Sequence, residues 1–265
     1  RPGPCIALRA DMDALPITEK TGLSYQSKNP GYMHACGHDV HMAALLGAIR
    51  LLDRMREQIA GEILFIFQPG EEKVPGGARL MLEQGIFSER TPDVIIAQHV
   101  QPDMAAGQVG FRPGIYMASS DEIYIDVRGK GGHAAIPRQV HDPLLMASHI
   151  LLALQHEVQR KAPAGIPTVL SFGKMIADGA VNVIPDLVHL EGTFRTMNEP
   201  WREEAHALIR QVAESISSGM GGDASVEIRQ GYPVLVNHEM LTGDARKKAV
   251  ELLGTEHVED LDIRM

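Results

Sequence analysis

Residues 34–42, HACGHDVHM, place three histidines, a cysteine and an aspartate within nine positions. Side chains of these types could bind a divalent metal, pair a cysteine nucleophile with a histidine base, or simply make a polar helix start. Three short apolar runs end in related groups. CIALRAD leads into Asp11 and Asp13, EILFIFQPGEE ends at Glu71 and Glu72, and DVIIAQHV carries His99. Ligand sites in open α/β sheets form beyond the carboxyl ends of the strands. Parallel pairing would therefore bring these three ends together with Cys36 and His38.

Taken singly, each group has an ordinary explanation. Asp11 and Asp13 suit a cap or turn, Glu71 and Glu72 suit a solvated loop, His99 suits a hydrogen-bonded core position, and Cys36-Gly-His38 suits a helix entry with a buried thiol. Their joint occurrence at successive strand ends favours the metal. Imidazole, thiolate and carboxylate together suit zinc, manganese or a similar divalent ion. Adjacent glutamates suit metal-assisted hydrolysis, in which one carboxylate ligates while the other takes a proton from the activated water and returns it to the leaving amine. A nucleophilic Cys36 at a helix N-terminus is the rival, but it leaves Glu71, Glu72 and His99 without roles.

The elements that must position these groups are legible as period changes. Met42, Leu45, Leu46, Ile49, Leu52 and Met55 recur at helical spacing, with Asp39 at the helix start and Gly37 allowing a tight turn before it. EILFIFQ reads as a strand stopped by Pro69 and Gly70, ARLMLEQGIF as a helix ending at Gly85, and DVIIAQHV as a third buried strand. Alternation of strands and helices with near-continuous apolar strands predicts an α/β domain, a parallel or mixed sheet with helices on both faces. From residue 117 the order becomes β-α-β-β-α-β, the split βαβ pattern of a ferredoxin-like α+β domain. The expected organisation is a catalytic domain of residues 1–116 and 233–265, interrupted by an inserted domain of residues 117–232.

A net charge of −9 disfavours nucleic acid or an anionic membrane surface as the main partner. No apolar run reaches the roughly 18 residues of a membrane span. The opening RPGPCIALRAD lacks the basic and apolar regions of a signal peptide and has no initiating Met, as expected for a segment of a longer chain. Cys5 and Cys36 are too few for a disulfide scaffold, so a cytoplasmic setting is expected, with Cys5 a small buried hydrophobe.

The segments LRADMDALPI, MHACGHDVHMAALLGA, FQPGEEKVPGGARLML and GGHAAIP closely resemble the dimetal amidohydrolases of the aminoacylase, hippurate hydrolase and auxin-conjugate hydrolase type, relatives of glutamate carboxypeptidase. The resemblance covers nearly the whole chain. It implies a metal-binding α/β domain with an inserted lid or dimerisation domain, two divalent ions per subunit (zinc or manganese, with cobalt or nickel as options) and a homodimer. It also implies hydrolysis of N-acyl amino acids or similar acylated amines. Carried over residue by residue, Cys36, His38, Glu72 and His99 match metal ligands, Glu71 the general base, and Asp13 the acid that orients the site. Asp11 stands where the carboxypeptidase relatives have a ligating histidine, so it is left out of the metal set. In the inserted domain, His133 matches a histidine that reaches a neighbouring subunit's site and polarises the scissile carbonyl. Asn182 matches a substrate-binding residue, and Arg195 the arginine that grips the substrate carboxylate, a task suited to a bidentate guanidinium. His41, one helical turn beyond His38, is a possible partner of the ligands, and His34 is unassigned. A further ligating histidine is expected beyond the final DLDIRM. The alternative from another class is a catalytically silent metal- or ligand-binding homodimer with the same fold, against which the intact Glu71-Glu72 pair counts.

Overall fold

In the computed structural model, which describes residues 1–265, CIALRAD forms the strand β1 (Cys5–Asp11). The helix α1 (His38–Arg54), strand β2 (Glu62–Gln68), helix α2 (Gly77–Glu83) and strand β3 (Val94–Ala97) follow. β1 is central in a three-stranded sheet of order β2-β1-β3, and both pairings are parallel. Register matters here: Asp11 pairs with Gln68 and Arg9 with Ala97, so all three strands finish at nearly one level. The loops carrying Asp13, Glu71, Glu72 and His99 leave from that common edge.

Two local expectations are corrected. α1 begins at His38 rather than Asp39, because Gly37 takes the N-cap position in the left-handed region at φ 83°, with no side-chain cap. Nor is β3 buried. It pairs on one side only, with β1, and Ile95 and Ile96 are 57% and 51% exposed. Periodicity alone does not say which neighbours an apolar strand has. Other expectations hold. Gly85 follows α2 with φ 78°, its N–H donating to Leu82 O, in the manner of a glycine just past a helix end. Cys5 is buried, and both cysteines are free thiols.

Contacts divide the chain into two compact units, Arg1–Ala105 and Ala106–Met265. The second unit begins with β4 (Val109–Phe111) and β5 (Gly114–Met117). It continues through β6 (Asp121–Arg128), β7 (Gly132–His133), α3 (Pro143–Lys161), β8 (Thr168–Ala177) and β9 (Val183–Ile184). β10 (Leu187–Thr196), α4 (Glu199–Gly219), β11 (Asp223–Gln230), β12 (Leu235–Asn237), α5 (Glu239–Leu253) and β13 (Val258–Asp260) complete it.

An antiparallel sheet of order β11-β6-β10-β8 forms its centre. Alternate residues of β6 (Ile123, Ile125, Val127) and β10 (Val188, Leu190, Phe194) pack against Met146, Ile150 and Leu154 of α3 and Ala205 and Ile209 of α4. All are fully buried, and each large aliphatic side chain contributes about 1.5–3 kcal/mol relative to exposure. Both helices are capped from the sequence: Asp142 accepts the N–H groups of Leu144 and Leu145, and Asn198 accepts that of Trp201. Before and after this layer, β5 pairs with β12 and β4 with β13, joining segments more than 100 residues apart in sequence. The architecture is a mixed α/β fold. No helix is long and apolar enough to cross a membrane.

Candidate metal centre

The centre of the first unit is His38, which is wholly buried at the first turn of α1. Its Nδ1 lies 3.0 Å from the main-chain oxygen of Asp13. A carbonyl only accepts, so Nδ1 carries a proton and donates it there. Buried Nε2 has no hydrogen-bond partner. It faces Asp11 Oδ1 at 3.8 Å, Glu71 Oε2 at 3.9 Å and Glu72 Oε1 at 3.8 Å. A buried ring nitrogen without a hydrogen-bond partner, facing three carboxylates, is an arrangement that a cation completes.

Cys36 and His99 supply the neighbouring donors. Cys36 Sγ is 3.3 Å from His99 Nε2, and His99 Nδ1–H donates to Val100 O at 2.7 Å. Ligand atoms of Cys36, His38 and His99 lie within 4.8 Å of one another, as do those of His38, Glu71 and Glu72. The two groups share His38, and their thiol, imidazole and carboxylate donors fit a divalent transition metal or zinc.

Asp13 ties the carboxyl end of β1 to that of β2. Its Oδ2 accepts the main-chain N–H of Glu72 at 3.0 Å, and its Oδ1 is 3.3 Å from His38 Nδ1. Main-chain N–H donors at Glu72 and Glu71 hold the Asp13 carboxyl below its usual range against the upward effect of burial. Glu71 is shifted the other way. Burial acts first, then the negative charges of Glu72 and Asp11, raising its affinity for a proton. Cys36 is pushed up to about 12 by burial, its hydrogen bond to Glu72 and the charges of Glu72, Glu71 and Asp11. Without a cation beside it, the thiol stays protonated at neutral pH.

Seven of the residues singled out from sequence thus meet in one place: Asp11, Asp13, Cys36, His38, Glu71, Glu72 and His99. Asp11 is among them although the motif left it outside the metal set. His41, read from sequence as a partner of the ligands and not as a ligand, is 1% exposed and bonded to Asp11. Its spacing of three from His38 was the available signal, since both then lie on one helix face. In the second unit, His133 and Asn182 are neighbours through the β7–β9 pairing: His133 pairs with Val183, and Ala134 N–H donates to Asn182 O at 3.0 Å. His133 is exposed, and its Nδ1 accepts the N–H of Ala135. Arg195 lies half-buried on β10, paired with Val169 of β8.

The strand-end cluster and the mixed α/β fold accompany a match to a family model described as "Peptidase family M20/M25/M40" over residues 7–264, and the chain belongs to that family. It is 44% identical over 247 residues to an N-acetyl-L-cysteine deacetylase of Bacillus subtilis (strain 168), a match covering 93% of this chain and 59% of that protein. An N-acyl-L-amino acid amidohydrolase of Geobacillus stearothermophilus is 39% identical over 246 residues, covering 93% of this chain and 65% of the relative. Among solved structures, the Bacillus subtilis YXEP protein, described as a dinuclear metal binding peptidase from the M20 family, superposes with a TM-score of 0.79 at 35% identity. That match covers 100% of this chain and 66% of the other. The chain therefore spans about three fifths to two thirds of the length of these relatives.

Proposed function

We propose that the complete protein is a metal-dependent amidohydrolase that cleaves N-acyl amino acids or related acylated amines to a carboxylic acid and an amine. The observation that carries this reading is the buried Nε2 of His38, without a hydrogen-bond partner and facing Asp11, Glu71 and Glu72 at 3.8–3.9 Å. Cys36, His38, Glu72 and His99 would hold divalent ions, two per subunit, with zinc or manganese best suited to the mixed donor set. Bound ions would supply Lewis acidity and make water acidic enough to attack at neutral pH.

The chain's own residues perform the remaining tasks. Glu71 takes the proton from the attacking water and delivers it to the leaving nitrogen; its raised proton affinity suits both transfers. Asp13 holds His38 and the Glu72 main chain in place. His133 polarises the scissile carbonyl, Asn182 binds substrate, and Arg195 holds the free carboxylate. In this reading, residues 1–116 and 233–265 belong to the catalytic domain and residues 117–232 form an inserted ferredoxin-like lid and dimerisation domain. The strand order β11-β6-β10-β8, with α3 and α4 packed on it, supports that assignment. A homodimer in the cytoplasm is the expected state, and two free thiols fit a reducing compartment.

The test is a panel of N-acetyl and N-benzoyl amino acids assayed with Mn²⁺, Zn²⁺ and Co²⁺ on the complete protein. Glu71→Gln is expected to lower turnover about 10²–10⁴-fold while metal binding persists. Full turnover in that variant overturns the assigned mechanism.

A further inference from the structure

Asp11 and His41 belong to the same buried neighbourhood as the ligand cluster, and the mechanism above gives neither a task. Both are 1% exposed. His41 Nδ1 bonds to Asp11 Oδ1, and the main-chain N–H of Val100 donates to His41 Nε2 at 2.9 Å. Because that N–H can only donate, Nε2 is unprotonated and Nδ1–H is the donor to Asp11. Both ring nitrogens are therefore engaged. Although Asp11, His38 and His41 offer atoms within 4.8 Å of one another, a cation bound to His41 would have to displace one of these bonds.

The second bond is the informative one. Val100 directly follows His99. Its N–H is taken by His41, and its carbonyl accepts His99 Nδ1–H at 2.7 Å. The orientation of one peptide segment is thereby coupled to the tautomer of the neighbouring histidine. Asp11 is itself held from the other side: Arg9 Nη1 lies 2.9 Å from its Oδ2, and Arg9 Nε donates to Gln68 Oε1 at 2.9 Å. The Val100 side chain packs over Gly37 so closely that a Cβ on Gly37 would overlap Val100 Cγ2. The segment is thus fixed at its amide, its carbonyl and its side chain.

We propose that Asp11 and His41 are positioning residues. Through the Val100 main chain they hold His99 in the Nδ1–H tautomer with Nε2 turned toward Cys36. The inference rests on reading His99 as a metal ligand. Partners of this kind, acting behind a ligating histidine, set its orientation and basicity, and their loss costs about 10–100-fold in metal affinity.

The experiment compares His41→Leu, which removes the acceptor for Val100 N–H, with His41→Gln, whose side-chain amide retains one, in the complete chain. Two readouts are used: the His99 tautomer from long-range ¹H–¹⁵N NMR of metal-free protein, and Co²⁺ affinity from a binding isotherm. His41→Leu is expected to mix the His99 tautomers and weaken Co²⁺ binding about 10–100-fold. His41→Gln is expected to keep the single tautomer and bind within about threefold of the parent. Unchanged tautomer and affinity in folded His41→Leu overturn the proposal. So does a His41→Gln variant that loses about tenfold or more, and this arm decides alone if His41→Leu does not fold. A parent protein that binds no Co²⁺ defeats the metal reading instead, while the tautomer comparison still decides whether His41 positions His99.

Discussion

Asp13 and Glu72 are joined across two strand ends, with the Glu72 main-chain N–H donating to Asp13 Oδ2 at 3.0 Å. The Asp13 main-chain oxygen meanwhile accepts His38 Nδ1–H. One residue thus orients an imidazole and anchors a carboxylate loop that starts on a different strand. Asp13→Ala should weaken metal binding and activity about 10–100-fold, measured by Co²⁺ isotherm and turnover. Asp13→Asn keeps an acceptor for the Glu72 N–H and should lose less. Equal, negligible losses in both variants would remove Asp13 from the site.

The Cys36 thiol, pushed up to about 12 by burial and then by Glu72, Glu71 and Asp11, should be a poor nucleophile in metal-free protein. Alkylation by iodoacetamide at pH 8, read as the difference from Cys36→Ala, should be slower than that of a free cysteine, whose ordinary pKa is about 8.5. Metal binding must then displace the thiol proton, so affinity should rise with pH. Chelation should abolish hydrolysis. Activity that survives chelation and dies on alkylation would instead support a cysteine nucleophile.

Gly37 stands at φ 83° under Val100, and an added Cβ would overlap the Val100 side chain. Gly37→Ala therefore combines backbone strain with a steric clash and should destabilise the protein by about 1–3 kcal/mol. Urea denaturation measures this. A loss below a few tenths of a kcal/mol would mean that the Val100 segment moves freely, contrary to its three attachments.

Asp121 is fully buried, accepting from Arg202 Nε at 2.9 Å, His206 Nε2 at 2.8 Å and Gly231 N at 3.2 Å. Burial alone would raise its pKa, but the Arg202 and His206 hydrogen bonds and charges outweigh this and lower it from 3.8 to about 2. The same contact raises Arg202. A depressed carboxyl stabilises the fold above its unfolded pKa and loses that contribution as pH falls through the folded value. The loss should run from about pH 4 to pH 2 and amount to about 2–3 kcal/mol. Denaturation midpoints across this range should drop more steeply for the parent than for Asp121→Asn; parallel curves would rule the linkage out.

Much of the organisation was legible in the chain itself. The helical spacing of Met42, Leu45, Leu46, Ile49, Leu52 and Met55 marked α1, although of these only Leu45 is fully buried while Leu46 and Met55 are exposed, and alternation in DEIYIDVR matches the one-sided burial of β6. Both follow from the fixed periods of helix and strand. Cys36, His38, Glu71, Glu72 and His99 also stood out, because metal-binding side chains at strand ends are recognisable by type and place.

Partnership was not legible, because periodicity shows which way a residue faces and not what it meets. Strand order made β1 central between β2 and β3, although all three strands are apolar. Parallel register brought three strand ends to one level. The tautomers of His38, His41 and His99 were set by main-chain groups of Asp13 and Val100. For His38 and His41, those partners lie 25 and 59 residues away in sequence. Side-chain chemistry was therefore written in the residue types, while proton positions and the unpartnered nitrogen of His38 arose only when the folded backbone brought specific donors and acceptors within hydrogen-bond distance.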